Sequence, residues 1–290
     1  MAVTHFIASV WSKKIQDELE KKVKLASYTN QEYEGDVKFA AKVKILGVGD
    51  PTVRDYPASD NITVEDMSDI GQWLEITQKK YFAFKVEDLD AAQSVPGLPG
   101  KYQKKAAHKL AIARDTFVAG LMKSGAALAQ NTVADDGTIS EYKINSVVAT
   151  DRTGANIKAA IDRAIVALRE GDFDEEGRIE ITPGVYNILK NVITDLSTNN
   201  PEYIKTGKVG LYDGFEVVEV NTLAKDTTYE YCDIRSKDAI AFAGQINEVE
   251  SMRMEGRFAD LVRGFDVYGS KVIDPKRIEV VKIPVASGSL

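Results

Sequence analysis

The sequence is poor in the residues that most often build catalytic and metal sites. It contains one cysteine, Cys232, and two histidines, His5 and His108, among 290 residues. A single cysteine excludes an intramolecular disulfide, and the separation of the two histidines excludes a local metal motif such as HExxH. The sequence also lacks a phosphate-binding loop, a dinucleotide-binding fingerprint and a GxSxG nucleophile motif. It therefore predicts no catalytic, cofactor-binding or metal-binding residue.

Long apolar runs and a basic charge balance are missing as well. No apolar run approaches the roughly 18 residues that a membrane-spanning helix needs, and the N-terminus lacks a signal-peptide pattern. The formal net charge is -7, whereas proteins that bind nucleic acid tightly tend to be basic. The composition predicts a globular protein made in a reducing cytoplasm, with no membrane partner.

The first 35 residues contain an amphipathic helix pattern. Between residues 7 and 25 apolar side chains recur every four positions, and this stripe includes Trp11 and Ile15. A terminal helix of this kind packs on the chain's own core or on a neighbouring subunit, and both possibilities remain open. Trp11 and Ile15 are therefore candidates for contact between subunits.

Residues 36–86 show strand-like alternation, which predicts an extended hairpin. Its last strand, WLEITQKKYFAFKV, would have 14 residues and reach roughly 45 Å, so its middle would project beyond its own domain. The segment before this strand carries Asp66 and Asp69, opposite in charge to Lys79 and Lys80. These four residues predict ion pairs, either within the hairpin or between subunits.

The remainder of the chain mixes helices and strands. The strongest helical pattern covers residues 101–130, and two shorter helices are expected near 150–171 and 183–197. Strand-like segments dominate from residue 207 onward. The fold class is therefore α+β. The expected apolar stripe of the long helix consists of Tyr102, Ala106, Leu110, Ala113, Phe117 and Leu121.

Four stretches, in this order and spacing, resemble the major capsid (coat) protein family of tailed phages, whose architecture is the Hong Kong phage capsid fold. They are FIASVWSKKIQDELEKKVKLASYTNQEYEG, ITQKKYFAFKVEDLDAAQS, VGLYDGFEVVEVNTL and AIAFAGQINEVESMRMEGRFADLVRGFDVYGSKVIDP. The resemblance covers nearly the whole chain. It implies five parts: an N-terminal arm (1–35), an extended loop, or E-loop, with its stems (36–90), a peripheral domain with a spine helix (91–150), an axial domain (151–265), and returning strands of the peripheral domain with a tail (266–290).

The family resemblance implies a structural protein and not an enzyme. Its subunits would assemble through pentamers and hexamers into an icosahedral shell around double-stranded DNA, in the virion, after synthesis in the host cytoplasm. The sequence starts directly with the arm, so a separate scaffolding protein is expected. A portal protein and packaged DNA, contacted weakly and nonspecifically, are the other implied partners, and no Lys–Asn cross-link is expected.

Three alternatives remain at this point. A cellular nanocompartment shell with the same fold would enclose protein cargo instead of a genome. A soluble hydrolase would need a pocket that converges on perturbed carboxyl groups. A sequence-specific DNA-binding protein conflicts with the acidic balance and would require tight, salt-dependent binding by the monomer.

Overall fold

The structure of this protein is a computed structural model. It describes residues 23–32, 42–48, 69–87, 98–127, 143–171, 173, 175–195, 210–254, 256 and 259–285. Most of the predicted N-terminal helix, with Trp11 and Ile15, lies outside these residues, as does Asp66. The last residues of that predicted helix are described, and the prediction is wrong for them because residues 23–25 are not helical.

The described residues contain three α-helices and eleven strands. The helices are α1 (Leu98–Ala127), α2 (Gly154–Glu170) and α3 (Pro183–Asp195). The strands are β1 (Lys42–Val48), β2 (Asp69–Glu75), β3 (Gln78–Glu87), β4 (Asn145–Val148), β5 (Gly177–Ile181), β6 (Leu211–Tyr212), β7 (Phe215–Glu219), β8 (Tyr229–Ser236), β9 (Ile240–Arg253), β10 (Ala259–Val272) and β11 (Ile278–Pro284).

The structure contains the paired strands of the predicted hairpin, on either side of residues 49–68. Strands β1 and β2 pair antiparallel, from Lys42 opposite Glu75 to Val48 opposite Asp69. The buried side chains of this hairpin, Val43, Ile45 and Leu74, pack against Ala241 and Ala243 of β9. Alternation along β1 therefore directs one face onto the body of the protein.

The prediction of a single 14-residue strand over residues 73–86 is wrong. Ile76 and Thr77 interrupt it, and the two halves join different sheets: β2 pairs with β1, whereas β3 pairs with β10. The reason lies in β10, where a Cβ at Gly269 would overlap the carbonyl oxygen of Glu75. The missing side chain lets the connection between the two strands pass close to β10.

Strands β3, β10 and β9 form a three-stranded antiparallel sheet, and α1 packs on one face of it. The predicted apolar stripe of this helix is partly wrong, because Tyr102 is exposed and the buried face changes along the helix. Its first half packs on the three-stranded sheet, whereas its second half contacts residues of β11 and the segment near Leu25. The buried residues of α1 are Ala107, Leu110, Ala111, Asp115, Val118, Ala119, Met122, Gly125 and Ala126.

The larger sheet has six strands in the order β4-β11-β8-β5-β7-β6. Helices α2 and α3 cover one face, and the predicted stripe of α2 is confirmed as buried: Ile157, Ile161, Ile165 and Leu168. Strand β11, expected among the returning strands of the peripheral domain, lies between β4 and β8 in this larger sheet. Of the described residues in this last part, 266–285, only those in β10 join the three-stranded sheet.

Candidate subunit-interaction surfaces

A groove of about 410 Å³ lies between β3 and α1. We call it the lysine groove, because Lys80, Lys105 and Lys109 supply its charged side chains. Its floor is apolar, and the rings of Phe84 and Tyr102 stack at 5.6 Å between centroids. Such a surface suits a ligand that combines apolar and acidic groups. The remaining lining residues are Tyr81, Phe82, Ala106, Leu110 and Ala113.

The structure separates two of the predicted contact residues. Lys79 and Lys80 are both exposed, but neighbouring residues of a strand point to opposite faces. Lys80 lines the lysine groove, whereas Lys79 belongs to the opposite face of the three-stranded sheet. Asp69 is the first residue of β2, opposite Val48. The two lysines therefore cannot form one site for an acidic partner.

The face of the three-stranded sheet that points away from α1 exposes aromatic side chains. Tyr81, which also borders the lysine groove, is 83% exposed and stands directly opposite Phe265, which is 39% exposed. On the same face, Arg263 and Glu250 form an ion pair of 2.7 Å. We call this the open sheet face. Exposed aromatic groups beside charged pairs are typical of protein–protein contact surfaces.

Residues 23–32, which we call the root segment, lead into the N-terminal part of the chain. Asp115 of α1 accepts hydrogen bonds from the backbone N–H groups of Lys24, Leu25 and Ala26, at 3.0, 3.0 and 3.1 Å. Burial raises the pKa of Asp115 above its ordinary value, although these three donors oppose the shift. The root segment is thus held through its backbone, in addition to the burial of its Leu25 and Ala26 side chains.

A second anchor of the root segment comes from a buried ionic cluster, formed by Glu180, Asp233 and Arg235. The Arg235 guanidinium donates to the carbonyl oxygens of Leu25, at 3.0 Å, and Tyr28. It also binds both carboxylate oxygens of Glu180, at 3.0 and 2.9 Å. A charged side chain with no exposed surface is rare unless it is paired and hydrogen-bonded as Arg235 is.

Sequence reasoning missed both anchors. Asp115 and Arg235 are separated from their partners in the root segment by 89 to 210 residues, so no local spacing reveals them. One signal was available for Asp115, which is the only acidic residue in the sequence of α1. A single acidic residue in an otherwise basic helix indicates that its carboxylate has a specific partner elsewhere in the fold.

The described part of the chain offers no metal centre and no membrane-spanning helix. No group of three or more His, Cys, Asp or Glu side chains in it could hold a metal ion. None of its helices is long and apolar enough to cross a membrane. Cys232 is buried, and burial raises the pKa of its thiol to about 12, so at neutral pH it is not a thiolate nucleophile.

Solved structures with the same architecture are numerous, whereas no protein-family model and no curated protein matches the sequence. A chain of Mycobacterium phage Che8 has a TM-score of 0.70 at 24% identity, covering 89% of this chain and 90% of that chain. The capsid structure of cyanophage P-SCSP1u gives 0.67 at 16% identity, with 88% and 85% covered. The mature capsid of bacteriophage PhiM1 gives 0.64 at 15% identity, with 88% and 87% covered.

These alignments span nearly the full length of both chains. The similarity therefore concerns the whole fold and not a short shared motif. The second and third of these structures are phage capsids. The resemblance noted in the sequence is confirmed at the level of the fold. The chain has the fold of bacteriophage capsid proteins.

Proposed function

We propose that this protein is the major capsid protein of a tailed phage, which assembles through pentamers and hexamers into an icosahedral shell around double-stranded DNA. The observation that carries the proposal is the full-length similarity of fold to phage capsid chains. Because identity is below 25%, the similarity shows the fold, and the function follows from it by analogy.

Surfaces of this chain support a subunit role. Tyr81, Phe265 and Met252 are exposed on one sheet, and a monomer gains nothing from exposing such side chains together. The β1–β2 hairpin carries residues 49–68 between its strands. In a closed symmetric assembly, neighbouring copies would bury such surfaces and shield the open edges of the sheet.

We further propose that the lysine groove receives the acidic loop of a neighbouring copy. Residues 49–68 carry five carboxylates and one arginine, and Asp66 lies among the apolar residues Val64 and Met67. This mixture of acidic and apolar side chains complements an apolar floor that is flanked by Lys80, Lys105 and Lys109. Each exposed pair contributes only about 0–1 kcal/mol, so the effect depends on repetition over many copies.

The other assembly contacts are proposed from the family resemblance. The arm residues Trp11 and Ile15 would pack on a neighbouring subunit, and Asp69 and Lys79 would contribute ion pairs between copies. The five-part division, with an axial domain over 151–265, remains a proposal. We also propose three partners: a scaffolding protein, a portal protein and weakly bound DNA. Synthesis in the host cytoplasm and the absence of Lys–Asn cross-links are further proposals.

One alternative shares the fold. A nanocompartment shell would enclose an enzyme, and the contents of particles from the native source separate the two functions. Nucleic acid inside the particles supports the virus, whereas a protein cargo supports the compartment. A hydrolase is less well supported, because the groove is lined by lysines and apolar residues with no carboxyl group among them.

Negative-stain electron microscopy of the purified protein, expressed alone and with a scaffolding protein from the same source, tests the proposal. We expect closed shells or rings of subunits in at least one sample. A monodisperse monomer in both samples would contradict it.

A further inference from the structure

Strand β3 has one unpaired backbone edge in the part of the chain that the structure describes. It lies at the end of the three-stranded sheet and pairs only with β10. In an antiparallel pair about half of a strand's N–H and C=O groups point to its partner, so the other half of those in β3 point away from β10. Such an edge can accept a further strand unless its side chains prevent it.

The lysine groove reaches this edge. Lys80, Tyr81 and Phe82 are consecutive and all line the groove, although neighbouring side chains of a strand point to opposite faces. A groove that touches both faces of β3 includes its backbone edge. The opposite wall of the groove is α1, with Lys105 and Lys109. An extended segment in the groove would therefore meet backbone groups along one side and the side chains of α1 along the other.

The charges of β3 select which strand can pair with this edge. Lys79, Lys80 and Lys85 are all exposed. Lysines on an edge strand hinder its pairing with an identical edge, because like charges in opposite positions destabilise a sheet. Pairing of β3 with β3 of a second copy is thus unfavourable, whereas an acidic strand would be attracted.

The second half of the acidic loop has the sequence that such a strand needs. The first half contains Pro51 and Pro57, which lack a backbone donor, whereas residues 58–68 contain no proline and no glycine. The β-branched run ITV favours a strand, and Glu65 and Asp66 follow it directly. This half of the loop therefore combines strand propensity with negative charge.

One antiparallel register satisfies both charge and burial. The pairs that it places on the groove face of β3 are Asp66–Lys80, Val64–Phe82 and Ile62–Phe84. A shift of one residue would turn the two aliphatic side chains away from the groove. A parallel strand with the same ion pair would place Ser68, which is not apolar, opposite Phe82. The antiparallel register alone covers the apolar floor with apolar side chains.

We propose that residues 61–67 of a second copy bind in the lysine groove as a fourth, antiparallel strand of the three-stranded sheet. Main-chain hydrogen bonds to the edge of β3 hold this strand, and the side-chain pairs fix its register. The acidic loop of the same chain begins at the far end of β2, roughly 20 Å from Glu75, and β2 is paired with β1 in another sheet. A second copy is therefore the donor. The pairing rests on the shell function proposed above, which brings copies together.

Cross-strand disulfides test the register in assembled shells. Ala83 is exposed, and the proposed pairing places Thr63 of the second copy opposite it. The Cα atoms of opposite residues lie roughly 4.5–5.5 Å apart, which is within the reach of a disulfide. In Thr63→Cys with Ala83→Cys, mild oxidation should give a ladder of covalent oligomers on a non-reducing denaturing gel. The thiol of Cys232 is buried and does not contribute.

Matched controls move the first cysteine by one residue. Ile62→Cys and Val64→Cys, each with Ala83→Cys, place the two thiols on opposite faces, so we expect at least about tenfold fewer oligomers than with Thr63→Cys. Shells that form but give equal yields in the three variants, or no cross-link at position 63, would overturn the strand pairing and leave the shell function intact. A disulfide within one chain, which gives no ladder, would overturn the assignment to a second copy.

A peptide separates failure of the pairing from failure of assembly. If the parent chain forms no shells, the shell function is contradicted, and the groove is tested on the unassembled chain with the peptide SDNITVEDMS, residues 59–68. It should bind, and its Thr63→Cys form should cross-link to Ala83→Cys. The Asp66→Lys form should bind at least about tenfold more weakly. Equal binding of the two peptides, or binding of neither, would overturn the proposal.

Discussion

Arg114 and Asp115 are adjacent in α1, yet they bind to different parts of the molecule. The Arg114 guanidinium forms a bidentate pair with Asp266 of β10, at 2.8 and 2.6 Å. The Asp115 carboxylate instead accepts three N–H groups of the root segment. Two consecutive residues of one helix thus connect α1 to the three-stranded sheet and to the root segment.

Replacement of Asp115 by asparagine should loosen the root segment. The asparagine keeps one acceptor oxygen but places an NH₂ group against backbone donors, so at least one buried N–H loses its partner. We expect the free energy of unfolding to fall by about 1–3 kcal/mol, measured by urea denaturation of the unassembled chain. Thr116→Ala is the matched control: Thr116 is exposed, its hydroxyl bonds only within α1, and the change should be within about 0.5 kcal/mol. Equal losses in the two variants would contradict the role of Asp115.

The pair of Arg114 and Asp266 should be strongly coupled. Asp266 has no exposed surface and the side chain of Arg114 is 11% exposed, so removing either partner leaves a buried charge unpaired. We expect Arg114→Leu or Asp266→Leu alone to cost about 3–5 kcal/mol, and the double variant to cost clearly less than the sum. A double-mutant cycle of unfolding free energies measures this coupling. Additive losses would show that the pair contributes no specific interaction.

Glu279 should make the protein less stable as the pH rises. Its carboxyl group is buried, and burial raises its pKa from 4.5 to about 7, against a smaller opposing hydrogen bond from Asn145. Because the folded-state pKa lies above the unfolded one, the protonated group favours the folded state. The free energy of unfolding should therefore fall by up to about 2 kcal/mol between about pH 4.5 and pH 7, and level off above.

In Glu279→Gln this part of the pH dependence should vanish, so the variant should be more stable than the parent at pH 8. Other buried acids with raised pKa values, such as Asp115 and Asp233, act in both proteins and cancel in the comparison. Asp226, whose pKa is lowered to about 2, changes stability only in stronger acid. Parallel stability curves for the two proteins would refute the assignment to Glu279.

Charge reversal in the lysine groove should impair assembly and be repaired by the opposite reversal in the acidic loop. We expect Lys80→Glu with Lys105→Glu to reduce the yield of shells, and Asp66→Lys to restore part of it in the same chain. Electron microscopy and sedimentation give the yield. Lys237→Glu with Lys276→Glu, at two exposed lysines outside the groove, is the matched control. Unchanged assembly in the groove variant would remove the proposed contact between copies.

Local patterns predicted most of the regular structure. The apolar spacing of Ile157, Ile161 and Ile165, together with Gly171 at the C-terminal end, predicted α2, and Pro183 correctly marked the start of α3. These elements were predictable because their cause is periodic burial of side chains close together in sequence.

Contacts between distant parts of the chain could not be predicted. The break between β2 and β3 depends on Gly269, nearly 200 residues away, and the shift of the buried face of α1 depends on two different sheets. Arg235 and Asp115 are charged residues, which sequence alone would place at the surface. Only the folded chain shows that they hold the root segment. Of the predicted contact residues, Lys79 and Lys80 follow the strand alternation, which places them on opposite faces of β3.

Cryo-electron microscopy of particles from the source that produces this chain tests the proposed shell function most directly. The predicted result is a closed shell in which copies of this chain, arranged as pentamers and hexamers, surround nucleic acid, with the acidic loop of one copy over the lysine groove of another. Particles whose shell is built from a different protein, or recovery of this chain only as a soluble monomer, would contradict it.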